Sequence, residues 1–150
     1  MRKLDVARQV ASQRRGVNLF INVRTDVYLK KLVPPERQLE ETLTRGTRYA
    51  RAGADGLFAA GMIASDDIAT LCRETPLPIN LLSRAGLPSP EALHTLGVRR
   101  LSAGSSIAEF LYGAMNTLAR SFLERGQLDT QNVAAFTYGE VNALMSSKGQ

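Results

Sequence analysis

The apolar positions of this chain change period several times, and each change marks an element. Leu4, Val6, Ala7, Val10 and Ala11 fall at helical spacing and predict a leading helix over residues 4–14, closed by Gly16. Leu19, Phe20, Ile21 and Val23 form a short dense run that fits a strand buried on both faces. Pro34 and Pro35 interrupt the chain, and Pro35 suits the first position of a helix reaching Ala52, with Leu39, Leu43 and Tyr49 on its inner side. A Gly-Ala-Asp-Gly turn precedes a second buried run, residues 57–60. Ser65 or Asp66 is the expected cap of a helix through Arg73. A third strand is predicted over 79–82 and a fourth over 98–103. Between them Ser89-Pro90-Glu91 is a helix start and Gly97 its end. Gly104-Ser105-Ser106 opens a long helix over 107–125, with Phe110, Leu111, Met115, Leu118, Ala119 and Phe122 along one side. Residues 136–145 read as a last small helix.

The order is one helix and then four βα units, the last three strands recurring roughly every 22 residues. Such short connections imply neighbouring parallel strands with right-handed crossovers. Four units are half of a (β/α)8 barrel, which takes about 250 residues; a small open sheet is the alternative. The open-sheet reading lacks a Gly-x-Gly-x-x-Gly or P-loop to support it. We read the 150 residues as one α/β domain: a leading helix (1–16), four βα units (17–125) and a link with a short helix (126–150).

Composition narrows the partners. The net charge is +5 and the pI about 9.8, which raises nucleic acid or an anionic metabolite. The basic residues are dispersed, and Arg45, Arg48 and Arg51 have no interleaved aromatics, so a solvated helix face is expected rather than a nucleic-acid site. A single cysteine, Cys72, at helical spacing with Ile68 and Leu71, reads as a small core residue, and the single histidine, His94, as a surface residue. No signal core or membrane-length apolar run is visible, so a cytoplasmic protein without a membrane partner is expected.

Chemistry collects at the strand ends. Arg24 and Asp26 follow the first strand, Asn80 lies in the third, and Ser105 follows the fourth. In parallel α/β folds that end holds ligands. A guanidinium there can bond two oxygens of a carboxylate or phosphate, although an Arg24–Asp26 pair could equally do no more than tie a loop. Asn80 needs partners in its apolar strand: a ligand or a neighbouring backbone. Ser105 offers a hydroxyl and backbone N–H groups at a helix start, or is an ordinary cap.

These residues resemble a known family. Asn22-Val23-Arg24-Thr25-Asp26 is similar to the Asn-Ala-Arg-Thr-Asp signature of the isocitrate lyase and phosphoenolpyruvate mutase superfamily. Residues 52–58, 78–82 and 97–105 resemble its sixth, seventh and eighth strands, and 138–144 its closing helix. The resemblance implies the carboxyl-terminal half of a (β/α)8 TIM barrel, the β5–β8 equivalents plus C-terminal helices. It implies Mg2+-dependent making or breaking of C–C or P–C bonds through an enolate, on small carboxylate or phosphonate substrates. Arg24 and Asn80 match the family's substrate pocket. The members form homo-oligomers, commonly exchanging the eighth helix. Nothing matches the first four strands, the metal-binding aspartate region, the serine–glycine loop or the Lys-Lys-Cys-Gly-His lid. No catalytic residue and no Mg2+ ligand is therefore expected in this chain. Its expected partner is another copy or the missing amino-terminal half. A non-catalytic half-barrel interaction module is the competing reading.

Overall fold

The computed structural model describes residues 2–13, 19–128, 130 and 135–146. Two compact units divide the chain, 1–104 and 105–150. In the first, α1 (Arg2–Gln13) precedes β1 (Asn22–Thr25), a 3-10 turn (Pro35–Arg37) and α2 (Gln38–Arg51). Then come β2 (Gly56–Ala59), α3 (Ser65–Glu74), β3 (Ile79–Leu82), α4 (Pro90–Thr95) and β4 (Arg100–Ser102). The strands form one parallel sheet in the order β1-β2-β3-β4. The predicted βα repeat is therefore present as adjacent parallel neighbours.

Alternation along the strands divides the sheet into two unlike faces. Leu57, Ala59, Ile79 and Leu81 point to one side, where they pack with Ile68 and Leu71 of α3, Leu93 of α4, Met62 and Val98. Leu39, Leu43 and Tyr49 of α2 lie against this core, as their spacing predicted, and so does Cys72. Burial raises the Cys72 thiol above its ordinary pKa, which disfavours the thiolate. The opposite face carries Asn22, Arg24, Phe58, Asn80, Leu82, Arg100 and Ser102; among the described residues no helix of the first unit adds buried core residues on that side.

This asymmetry corrects the reading of the first strand. β1 is short, and Leu19 and Phe20 lie outside it, 44% and 60% exposed. β1 is an edge strand with a helical layer on one face only, so its apolar run is not buried on both sides. Gly16 and Val17 lie outside the described residues. Instead of deep burial, polar ties hold the approach to β1. The Arg8 Nε donates to the Gly53 carbonyl at 2.7 Å, its guanidinium pairs with Asp55, and Asp55 accepts the Ile21 N–H at 2.7 Å.

Local signals fared unevenly. Ser89 caps α4 as predicted, its Oγ accepting the Ala92 N–H at 3.3 Å, with Pro90 in the first turn. The cap of α3 is Ala64, not Ser65 or Asp66; both of these fall inside the helix, where Asp66 and Asp67 face its positive end. One glycine is sterically required. A Cβ on Gly61, at φ +91°, would lie 2.7 Å from the Leu29 backbone nitrogen.

The second unit contains α5 (Ser106–Arg125) and α6 (Tyr138–Ser146). Gly126, at φ +65°, ends α5 in the left-handed conformation. The apolar side predicted for α5 is present but open: Phe110, Leu111, Met115 and Phe122 are all exposed. Among the described residues no helix is long and apolar enough to cross a membrane.

Candidate functional site

Parallel register aligns side chains across the sheet. Arg24 is level with Phe58, Phe58 with Asn80, and Asn80 with Arg100. These residues share the face turned away from the helices. The sheet thus carries a row of cation, ring, amide and cation, one from each strand. Arg24 and Asn80 were legible as candidates. Phe58 and Arg100 were not, because only the register reveals that they join the row.

Arg24 is held in two ways. Its Nε donates to Asp26 Oδ1 at 2.6 Å, and its guanidinium carbon lies 5.6 Å from the centre of the Phe58 ring. The ring face attracts the cation and props the side chain over the sheet. Among the described residues only one of its five N–H donors is spent, on Asp26, which leaves the terminal nitrogens without a partner. The loop-tying pair and the anion clamp are therefore compatible. Asp26 also faces Lys30 Nζ at 3.5 Å.

The hydrogen bond from Arg24 holds the Asp26 carboxyl below its ordinary pKa of 3.8 against the opposing effect of burial, and the charges of Arg24 and Lys30 lower it further. A depressed carboxyl contributes stability above its unfolded-state pKa and loses it as pH falls through the folded value. An NMR titration of the Asp26 carboxyl carbon should give a midpoint below 3.8, and Arg24→Gln should move it upward. Equal midpoints in the two proteins would show that the pair does not govern this group.

Asn80 is 2% exposed and finds its partner in a side chain. Its Nδ2 donates to Ser102 Oγ at 3.1 Å, and Ser102 Oγ donates back to Asn80 Oδ1 at 3.2 Å. The partner is a side chain of the neighbouring strand rather than the backbone weighed from the sequence. Ser102→Ala should cost about 1–3 kcal/mol in urea unfolding, because it strands a buried amide. A loss under about 0.5 kcal/mol would mean that water replaces the hydroxyl.

Thr25 faces the other way, level with Ala59, and its buried hydroxyl has no partner among the described residues. Ser105 belongs to the second unit, where its hydroxyl donates to Glu109 Oε1 at 2.5 Å and makes no capping bond. His94 is exposed, as predicted. Among the described residues no group of three His, Cys, Asp or Glu is placed to hold a metal ion. The carboxylate beside Arg24 is already shared between two cations. These residues do not form a site for the Mg2+ that the resemblance implies.

A family model described as phosphoenolpyruvate phosphomutase matches residues 1–123. The chain belongs to this family. It lies within the phosphoenolpyruvate mutase and isocitrate lyase superfamily, and its sheet is four strands of a (β/α)8 barrel. An uncharacterized Mycobacterium tuberculosis protein is 37% identical over 102 residues, covering 68% of this chain and 38% of the relative. A Burkholderia cenocepacia structure assigned as a phosphonomutase is 38% identical, with a TM-score of 0.70, over 79% of this chain and 48% of that one. A phosphonopyruvate hydrolase structure complexed with oxalate and Mg2+ is 18% identical, with a TM-score of 0.66, over 95% and 50%; it shows likeness of fold alone. The phosphomutase-family chain therefore spans about half the length of these solved relatives or less.

Proposed function

We propose that this chain supplies the substrate-anion wall of a lyase or phosphonomutase active site and is inactive alone. The observation that carries the proposal is the Arg24 guanidinium, propped on Phe58 in a row with Asn80, with its terminal nitrogens unspent. Fixed cations and amide donors stabilise negative charge that develops on a substrate. On this reading Arg24 grips the carboxylate or phosphonate of a 2-oxo or 2-hydroxy acid, and Asn80 closes the same pocket. The reaction class is cleavage or formation of a C–C or P–C bond next to that anion. When bound, Mg2+ would add Lewis-acid stabilisation of an enolate, held by residues other than those described. The amino-terminal half of a barrel or another copy completes the site, in a cytoplasmic assembly without nucleic acid.

The test has two arms. Calorimetric titration of the purified chain with oxalate, a planar dianion shaped like an enolate of pyruvate, should show saturable binding. Assays of the chain alone with Mg2+ and either phosphonopyruvate or a 2-hydroxy diacid should show no turnover. Absence of oxalate binding removes the anion wall. Turnover by the chain alone removes the need for a second half.

One observation favours a second reading, a non-catalytic interaction module. β1 and β4 are edge strands, and α5 exposes Ile107, Phe110, Leu111, Tyr112 and Met115. Open edges and apolar helix faces invite association. Light scattering that shows a stable monomer, together with saturable oxalate binding, would decide against it.

A further inference from the structure

A cleft of about 340 Å³ lies among the loops that follow β1, β2 and β3, lined in part by Tyr28, Lys31, Pro35, Gln38, Ile63 and Arg84. It is built on the helical side of the strand ends. Tyr28 packs against the helix-side core, and its hydroxyl donates to Asp67 of α3 at 2.8 Å. Gln38 is the first residue of α2. The cleft is thus constructed from other side chains than the row of Arg24, Phe58, Asn80 and Arg100.

Its polar groups are under-used. Lys31 and Arg84 are exposed, and neither has a carboxylate partner among the described residues. Gln38 is only 8% exposed, yet its amide makes one long bond, Nε2 to the Val33 carbonyl at 3.4 Å. Its second N–H and the side-chain carbonyl have no partner among the described residues and are open to what enters the cleft. Lys31 is the one non-glycine described residue with positive φ, +48°, which fixes where its side chain departs from the loop. Tyr28, Pro35 and Ile63 supply apolar wall. A concave site of this size with a few convergent polar groups suits a small metabolite.

We propose that this cleft binds a small dianion, a phosphate monoester or a dicarboxylate, independently of the Arg24 row. The two cations take the anionic end, the Gln38 amide takes a further oxygen, and the carbon body lies on Tyr28, Pro35 and Ile63. Nothing here depends on the reaction proposed above.

The test is an NMR titration of the 15N-labelled full chain with inorganic phosphate and, separately, with succinate, at constant ionic strength. The Gln38 side-chain amide should shift saturably with at least one probe, and the one that saturates identifies the source of the dianion. Arg84→Ala should weaken that binding at least about tenfold, and Lys31→Gly, which keeps the left-handed backbone, should do the same. Arg24→Ala should leave it unchanged. A Gln38 amide unmoved by both probes, unaltered affinity in both cleft variants, or loss of binding in Arg24→Ala would each overturn the proposal.

Discussion

Leu81→Ala is expected to lower the unfolding free energy by about 3 kcal/mol, within a range of roughly 2–5. Leu81 lies in an interior strand, is fully buried, and packs in the cluster that joins β2 and β3 to α3 and α4. Removing its branched end loses transfer free energy and leaves a cavity that a sheet hydrogen-bonded on both sides cannot collapse to fill. Its register partner Leu101, on edge strand β4, is 42% exposed. Leu101→Ala should therefore cost less, about 1 kcal/mol, because only part of its surface is removed from water in the folded state. Urea denaturation of both variants checks the contrast. Equal losses would mean that the core is not where the two faces of the sheet place it.

Arg24→Met should weaken oxalate binding about thirtyfold, measured by calorimetry. Two charge-assisted hydrogen bonds to one anion would be worth about 3 kcal/mol or more in a buried site. The Arg24 side chain is 49% exposed, so water and salt screen part of this, and about 2 kcal/mol is the reasonable share. Arg24→Lys keeps the charge but loses the planar fork and should fall between the two. The Phe58 ring props the guanidinium, so Phe58→Leu should also weaken binding, by less than the arginine variant. Unchanged affinity in Arg24→Met would remove the anion wall while leaving the fold and family of the chain intact.

The residues that were readable as a site share a property: their chemistry is conspicuous in a one-dimensional context. Arg24 and Asp26 interrupt an apolar run, and Asn80 interrupts another. Phe58 looked like one more buried residue of its strand, and Arg100 like one more dispersed charge. Nothing in its local sequence marks Ser102 as the group that engages the Asn80 amide in both directions. The cap of α3 was misread because Ser65 and Asp66 both suit a helix start, and composition cannot say where the first helical residue falls. The apolar side of α5 was read correctly as a stripe, yet a stripe does not disclose what covers it.

The sequence alone determined the order of elements and their type. Period, proline position and glycine turns act within a few residues, and tertiary contacts need not be known to read them. It also determined the family, through short motifs whose order the fold preserves. Tertiary structure decided which residues share a face. Register is set by hydrogen bonds between strands whose partners lie 20 to 34 residues apart in the chain, and only register brings Arg24, Phe58, Asn80 and Arg100 into one row. It also decided burial, because an apolar run is identical on paper whether a helical layer covers one face of its sheet or both.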